Sequence, residues 1–448
     1  MKKRYLYLLV MLALVAGCVD KGTDEPNEPV EQTEEPVDDP KDDPDDPSDQ
    51  SGNEQGGDNQ GGDNQGGDQG GGDQGGETPD VPPARPAPDP VVIEEPFQVH
   101  SEIIEKFITE VEYDERDYTY THVFDEPYVN YGAPGEEDRP KALTVSWEAL
   151  EEEGPLKLKL TEVESGWVAE YSLKAGTGSF DLTNLVPNMS YTYEVTRDNL
   201  PEAIVGRGSF TTKGILHLLY YPTKIRNARD LGGWTTTDGK KIKFRKLYRG
   251  GLLNGGYLSN TGKKYMRAEG VKAELDLREA GDDASTSSYL GDDITFYNPS
   301  IKKAYGTMIR DYPDKVKKSF EFIVKCVREE KTLYFHCSLG RDRTGTIAAV
   351  VYGVLGVSES DMSKEFELLF FSPKDWSLNG GKTEFDYNRT KRWAHWYTCD
   401  TIWELGGKAL GAADDDTSVT FKQRTEAYLL SIGVTQKDID DFRTLMLE

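Results

Sequence analysis

Residues 334–353 read YFHCSLGRDRTGTIAAVVYG. One cysteine, Cys337, closes an apolar run, and Arg343 follows six positions on, across a turn that holds Gly340. A thiol is a strong nucleophile only as its thiolate. Free, it titrates near ~8.5, and a helix N-terminus with cationic neighbours brings it to ~3.5–7.5. An arginine is a planar fork whose N–H groups match two oxygens of a phosphoryl group. At this spacing the pair can attack phosphorus through sulfur and hold the charge on the equatorial oxygens of the transition state.

The chain must then bend the intervening loop around an anion. Leu333-Tyr334-Phe335 predicts a short buried strand before it, and the uncharged stretch TIAAVVYGVLG, ending at Gly356, predicts a buried helix after it. Upstream, Phe320, Ile323, Val324 and Val327 recur at i, i+3, i+4 and i+7, the pattern of an amphipathic helix. Helix, strand, glycine-containing loop and helix make the α/β plan. The loop Cys337-Ser338-Leu339-Gly340-Arg341-Asp342-Arg343 can wind its backbone N–H groups inward at the positive end of the helix dipole. Thiolate and phosphate are both favoured there.

The run HCSLGRDRTG resembles the HC-x5-R-[ST]-G signature of protein tyrosine phosphatases. More narrowly, it is similar to a bacterial branch related to secreted tyrosine and inositide phosphatases, whose loop reads HC-x-x-G-K-D-R-T-G. Arg229-Asp230-Leu231-Gly232-Gly233, then Asp238-Gly239, then Leu247-Tyr248-Arg249 resemble that branch's opening R-D-L-G-G, D-G and L-Y-R-S, with Gly250 in place of the serine. VKAELDLR, ending at Arg278, is similar to its V-I-D-L-R strand, and YLLSIGVTQKDIDDFRTLML to its last helices. The likeness spans residues 221–448.

The resemblance implies an α/β cysteine-phosphatase domain, a central and mostly parallel sheet flanked by helices. It implies Cys337 as nucleophile, Arg343 as phosphate clamp, and Ser338, Leu339, Gly340, Arg341 and Thr344 as the substrate loop. Thr344 would bond the departing sulfur, cap the helix, or do both. His336 takes a bracing role that keeps the thiolate charged. Asp230 braces a loop or offers the pocket a second carboxylate, with bracing preferred, and Asp276 and Arg278 are expected to pair with each other. No metal or organic cofactor is implied, because the thiolate supplies the nucleophile.

The proton donor departs from the commonest phosphatase pattern. Where an aspartate on a mobile loop is expected before the cysteine, this chain has FYNPSIKK, ending at Lys303. Asp342 matches the aspartate proposed as general acid in the narrower branch, with Asp311 as understudy and Asp314 beside it. Phosphotyrosine protein is the first-choice substrate. A phosphoinositide or inositol phosphate is the alternative, since Arg341, where relatives carry Lys, adds a cation at the rim. The alternative of another class is a non-catalytic surface binding protein with a dead phosphatase domain; the intact Cys337 and Arg343 stand against it. The aromatic run TKRWAHWYTCDTIW could line the pocket mouth, although such a stripe more often belongs to a core, with Cys399 a buried free thiol.

The rest of the chain sets the context. Residues 19–96 carry 24 acidic residues against 3 basic ones, which is −21 of the net charge of −28. The acidity therefore belongs to a Gly-, Pro- and Asp-rich stretch that cannot bury enough apolar surface to fold, and it says nothing of the substrate. No basic stripe points to nucleic acid. MKKRYLYLLVMLALVAGC has a charged start and an uncharged run too short for the ~20 apolar residues of a span. Its Leu14-Val15-Ala16-Gly17-Cys18 resembles a bacterial lipobox, which implies lipidation of Cys18 and a membrane-anchored lipoprotein of the outer membrane, on its periplasmic or cell-surface face. Three cysteines besides Cys18 make no disulfide framework.

Between the acidic stretch and the α/β domain, LTVSW, LKLKL and FDL alternate as half-buried strands do, and NLVPNMSYTYEV resembles the late strands of fibronectin type III sandwiches. The expected organisation is signal peptide 1–17, disordered tether 18–96, all-β sandwich 97–214 and catalytic domain 215–448. The sandwich would act as a spacer or contact protein or glycan.

Overall fold

Alternation decides the first part of the chain. β3 (Leu156–Glu162) and β6 (Ser190–Arg197) turn every second side chain inward and pair antiparallel from Leu156↔Arg197 to Glu162↔Tyr191. The computed structural model describes residues 84–113, 128, 139–221, 225–282, 284–371 and 389–448. In it these strands join β1 (Val91–Gln98), β4 (Val168–Leu173) and β7 (Leu200–Lys213) in a sheet ordered β1-β7-β6-β3-β4. A second sheet of β2 (Leu143–Ser146) and β5 (Ser179–Leu182) adds Val145 and Leu182 to the core of Leu156, Leu158, Leu160, Tyr191 and Val195. The stretches expected to be signal peptide and tether, with Cys18, lie outside the described residues as far as residue 83.

Two boundaries differ from those expected. β1 begins at Val91, inside the stretch read as tether to residue 96, and Val91, Val92 and Ile93 run parallel to Gly208, Ser209 and Phe210 of β7. Three β-branched residues in acidic, Pro-rich sequence reveal nothing until a partner strand is in place. The second difference is α1 (Glu102–Glu110), grouped by chain order with the β-rich part. Its buried Ile103, Ile104, Phe107 and Ile108 belong instead to the core that holds Leu216, Leu231 and Phe371. The Phe107 ring meets Tyr128 and Phe371 edge-on at 5.2 and 5.3 Å. An apolar stripe shows that a helix will pack, but not against what.

The five-stranded sheet of the C-terminal half contains β8 (Arg229–Asp230), β9 (Leu247–Gly250), β10 (Val271–Asp276), β11 (Thr295–Tyr297) and β12 (Thr332–His336). Its order is β11-β10-β12-β9-β8, parallel except for the antiparallel edge strand β8. The registers Asp276↔His336 and His336↔Gly250 bring three strand ends level. Whatever follows β12 therefore emerges between the ends of its neighbours, where ligands of α/β sheets bind.

Helices flank this sheet. α2 (Asn260–Ala268) leads into β10, and α3 (Tyr305–Asp311) and α4 (Pro313–Arg328) lead into β12. α4 buries Phe320, Ile323, Val324 and Val327, as its spacing predicts. α5 (Asp342–Leu355) is buried from Arg343 onward and stops at Gly356, whose φ of 92° ends a helix without a Cβ clash. α6 (Glu359–Glu367), α7 (Arg389–Leu410), α8 (Phe421–Ser431) and α9 (Gln436–Met446) complete the fold. Arg245 joins the two halves. It pairs with Glu162 of β3 at 3.1 Å and with Glu269 at 2.5 Å, under the Trp167 ring at 3.6 Å.

Because α1 is part of the second core, Phe107→Ala should cost about 3–5 kcal/mol and lower the thermal midpoint of the catalytic half. Val91→Ala, at a half-exposed position of the edge strand, should leave that midpoint unchanged. A neutral Phe107→Ala in a calorimetric scan would return α1 to the β-rich part.

Candidate active site

β12 ends at His336, and the next residue, Cys337, is 2 % exposed. The loop that follows is held from outside by its carbonyls. Asn227 Nδ2 donates to Leu339 O at 2.9 Å, Arg249 Nη2 to Gly340 O at 2.8 Å, and the Leu252 amide to Ser338 O at 3.1 Å. Carbonyls that point outward leave the amides to point inward. Gly340 has φ 67°, and a Cβ there would run into the backbone of Gly250. Only glycine permits both the turn and that approach.

The sulfur sits among these donors. Burial pushes the Cys337 thiol up, and the Arg343 guanidinium, the Thr344 hydroxyl and the amides of Thr344 and Arg341 more than reverse this, to about 7. Thr344 is fully buried, and its hydroxyl is one of the groups that lower the Cys337 thiol. Arg343, at the start of α5, donates through Nη1 to Ile301 O at 3.0 Å, which fixes the plane of its fork.

His336 is fully buried between carboxylates. Its Nε2 lies 3.0 Å from Glu274 Oε1, its Nδ1 3.3 Å from Cys337 O and 3.9 Å from Asp276 Oδ1. Burial lowers its pKa, but Asp276 and Glu274 raise it on balance, so the ring is held toward its charged form. Asp276 in turn takes three bonds from Arg278, one from the backbone amide and two from the guanidinium. The Asp230 carboxylate is buried and accepts from His217 Nδ1 at 3.0 Å, Gly232 N at 2.8 Å and Arg245 N at 2.6 Å. It braces the turn after β8.

Asp342 stands at the rim, its carboxylate gripped by Arg341 at 2.9 and 3.1 Å and by the Tyr305 hydroxyl. Tyr305 opens α3 and also donates its amide to Thr346 Oγ1 at 2.8 Å. Asp311 is exposed at the other end of α3, about 9 Å along the axis, and Asp314 is exposed in the first turn of α4. Cys399 is buried in α7, 3.6 Å from His395 Nε2, in the core with Ile402 and Trp403.

Sequence reasoning missed several supports of the loop. Arg249 belongs to the quoted motif, but nothing in the string says that it reaches Gly340. Glu365 of α6 binds the guanidiniums of both Arg229 and Arg249 at 2.8 Å, and no local pattern marks it out. Asn227, Tyr305 and Glu274 are likewise visible only after folding. Gly250 stands where the resemblance implied a serine, and the fold gives a physical reason for glycine. A Cβ there would strike the Tyr334 hydroxyl, which donates to Gly251 O at 2.8 Å.

A mostly parallel sheet whose central strand leads directly into a cysteine, followed by an inward-turned loop and a buried helix with arginine in its first turn, is the architecture of cysteine-dependent phosphatases. Residues 222–448, just over half of the chain, match the tyrosine phosphatase family, and the chain belongs to it. Relatives include a chain of Cupriavidus necator provisionally named a tyrosine-protein phosphatase, 26 % identical over 168 residues. Another is a tyrosine-protein phosphatase of Nostoc commune, 25 % identical over 145 residues. The matched segments cover 33 % and 27 % of this chain, and 60 % and 49 % of those relatives.

A thiol near 7 has a testable signature. The thiolate fraction rises with pH, so the rate of Cys337 alkylation by iodoacetamide should climb from pH 5 and level off above 8, with its midpoint near 7. Thr344→Ala removes one of the groups that lower the pKa and should move the midpoint upward. A midpoint near ~8.5, the free-thiol value, would contradict the loop geometry.

Proposed function

We propose that this chain is an exported, lipid-anchored phosphatase that hydrolyses phosphotyrosine in proteins. The observation that carries the reading is the Cys337 sulfur, brought to about 7 inside a loop whose amides and Arg343 surround it. The thiolate attacks phosphorus, and the bond from phosphorus to the tyrosine oxygen breaks. Asp342 supplies the proton that the leaving oxygen takes up. Water then cleaves the sulfur–phosphorus bond, which releases inorganic phosphate and returns the thiolate, its proton going back to Asp342. For this Asp342 must leave its pairing with Arg341, and an anionic group of the substrate at the rim gives Arg341 another partner.

A phosphoinositide or inositol phosphate is the second reading. It is favoured by Arg341 and by the exposed Lys302, next to the Ile301 carbonyl that holds Arg343. The two N-terminal sheets with their shared core suit a fibronectin type III-like sandwich, serving as a spacer or as a contact for protein or glycan. The lipobox and the composition of the stretch behind it support an anchor at Cys18 and a tether after it.

Cys337→Ser should abolish turnover and keep binding of a phosphate analogue, and Arg343→Lys should lose turnover because an ammonium has no fork. If Asp342 is the acid, Asp342→Asn should slow phosphotyrosine far more than an aryl phosphate whose leaving group needs no proton. Equal slowing of both would assign Asp342 to loop architecture, and hydrolysis persisting in Cys337→Ser would sink the mechanism. A panel of phosphotyrosine, phosphoserine and phosphoinositide substrates decides between the two readings.

The anchor is tested separately. Cys18→Ala should release the protein from membranes without changing its specific activity. A variant that stays membrane-bound removes the lipid from the proposal.

A further inference from the structure

The Arg341 amide that donates toward the Cys337 sulfur belongs to the same peptide unit as the Gly340 carbonyl. A trans peptide is planar, with its C=O and N–H pointing in opposite directions. When Arg249 Nη2 draws Gly340 O outward at 2.8 Å, it therefore turns the Arg341 N–H inward toward the sulfur. Arg249 is fully buried, and its other terminal nitrogen, Nη1, lies 2.9 and 2.8 Å from the two oxygens of Glu365. Glu365 also takes Arg229 Nε at 2.8 Å, and its backbone carbonyl takes Arg229 Nη2 at 3.0 Å. Two guanidiniums thus rest on one carboxylate, and on balance they lower its pKa against the opposing effect of burial.

The opposite face of α6 is held by a different part of the chain. Ser360, Lys364 and Glu367 recur at i, i+4 and i+7, so they share one side of the helix, about 100° or more from Glu365. The Tyr113 amide donates to Ser360 Oγ at 3.1 Å, Lys364 Nζ to Ile108 O at 3.1 Å, and the Tyr113 hydroxyl to Glu367. Residues 102–113 form a strap laid across α6, with the apolar side of α1 in the same core as Met362 and Phe366.

We propose that Glu365 is a positioning residue for the nucleophile, acting through Arg249 and the Gly340–Arg341 peptide, and that the strap of residues 102–113 seats it. This rests on Cys337 being the nucleophilic thiolate. It gives the segment before the family match a part in the chemistry, acting across α6 from the face opposite Glu365.

The test uses the full chain and three readouts: the pH midpoint of Cys337 alkylation by iodoacetamide, kcat and KM for p-nitrophenyl phosphate, and the thermal midpoint. Glu365→Gln keeps the shape and removes the charge. It should raise the alkylation midpoint by about one unit, which is about tenfold less thiolate at pH 6, and lower kcat more than it raises KM. Arg249→Lys, whose ammonium cannot meet Glu365 with two nitrogens while reaching Gly340 O, should shift the midpoint in the same direction and serves if Glu365→Gln does not fold. Tyr113→Phe should shift it the same way by a smaller amount. As a control, Val205→Ala in the N-terminal core should lower the thermal midpoint and leave the alkylation midpoint alone. An unchanged alkylation midpoint in folded Glu365→Gln or in Arg249→Lys overturns the proposal, and an unchanged one in Tyr113→Phe overturns the strap's share of it. If the wild-type thiol titrates near 7 and Glu365→Gln shifts it, yet no phosphomonoester is hydrolysed, the phosphatase reading fails and the positioning of the thiol by Glu365 stands.

Discussion

A buried sulfur that must carry negative charge near neutral pH, just beyond the end of a strand, is the constraint on which the catalytic half depends. Taking a charge out of water costs several kcal/mol after relaxation, and here burial does push the Cys337 thiol toward its neutral form. What reverses this is local: one guanidinium, one hydroxyl and inward-turned amides. None of these is strong unless it is aimed, because a hydrogen bond weakens steeply as its angle degrades. The loop must therefore be held from outside, and its outer carbonyls are the handles.

The groups that hold those handles are themselves charged and buried. Arg229 and Arg249 share Glu365, and His336 lies between Glu274 and Asp276. Such pairs are poor sources of stability, since well-packed apolar residues would often do as well or better. Removing one partner is a different matter and costs about 3–5 kcal/mol, because it strands the other. Their value here is geometric. A bidentate guanidinium fixes direction as well as distance, which hydrophobic packing cannot do for a peptide plane.

The catalytic half is also assembled from more than one stretch of chain. The family match begins at residue 222, yet its core includes α1 and Tyr128. The β-rich part is joined to it by Arg245, whose pairing with Glu162 and Glu269 is shielded by Trp167. Both joints use side chains far apart in sequence, so the halves are packed as one body across them rather than merely linked.

The sequence by itself determined whatever repeats at short range. Apolar spacing at Phe320, Ile323, Val324 and Val327 marks α4, alternation marks β3 and β6, and Cys337 with Gly340 and Arg343 marks the loop, because each pattern is the local imprint of a helix, a strand or a bound anion. Tertiary structure alone decided the partners. It placed α1 in the second core, took Val91 to Pro96 out of the tether, moved Asp311 to the far end of α3 and set Asp342 against Arg341 and Tyr305. Glu365 is the sharpest case. In KEFELL it is one of two acids, and it acquires a role only when folding brings it to Arg229 and Arg249, 136 and 116 residues away. Local pattern records the shape a segment takes, whereas a buried charge is defined by the charge it meets, and that pairing exists only in the folded chain.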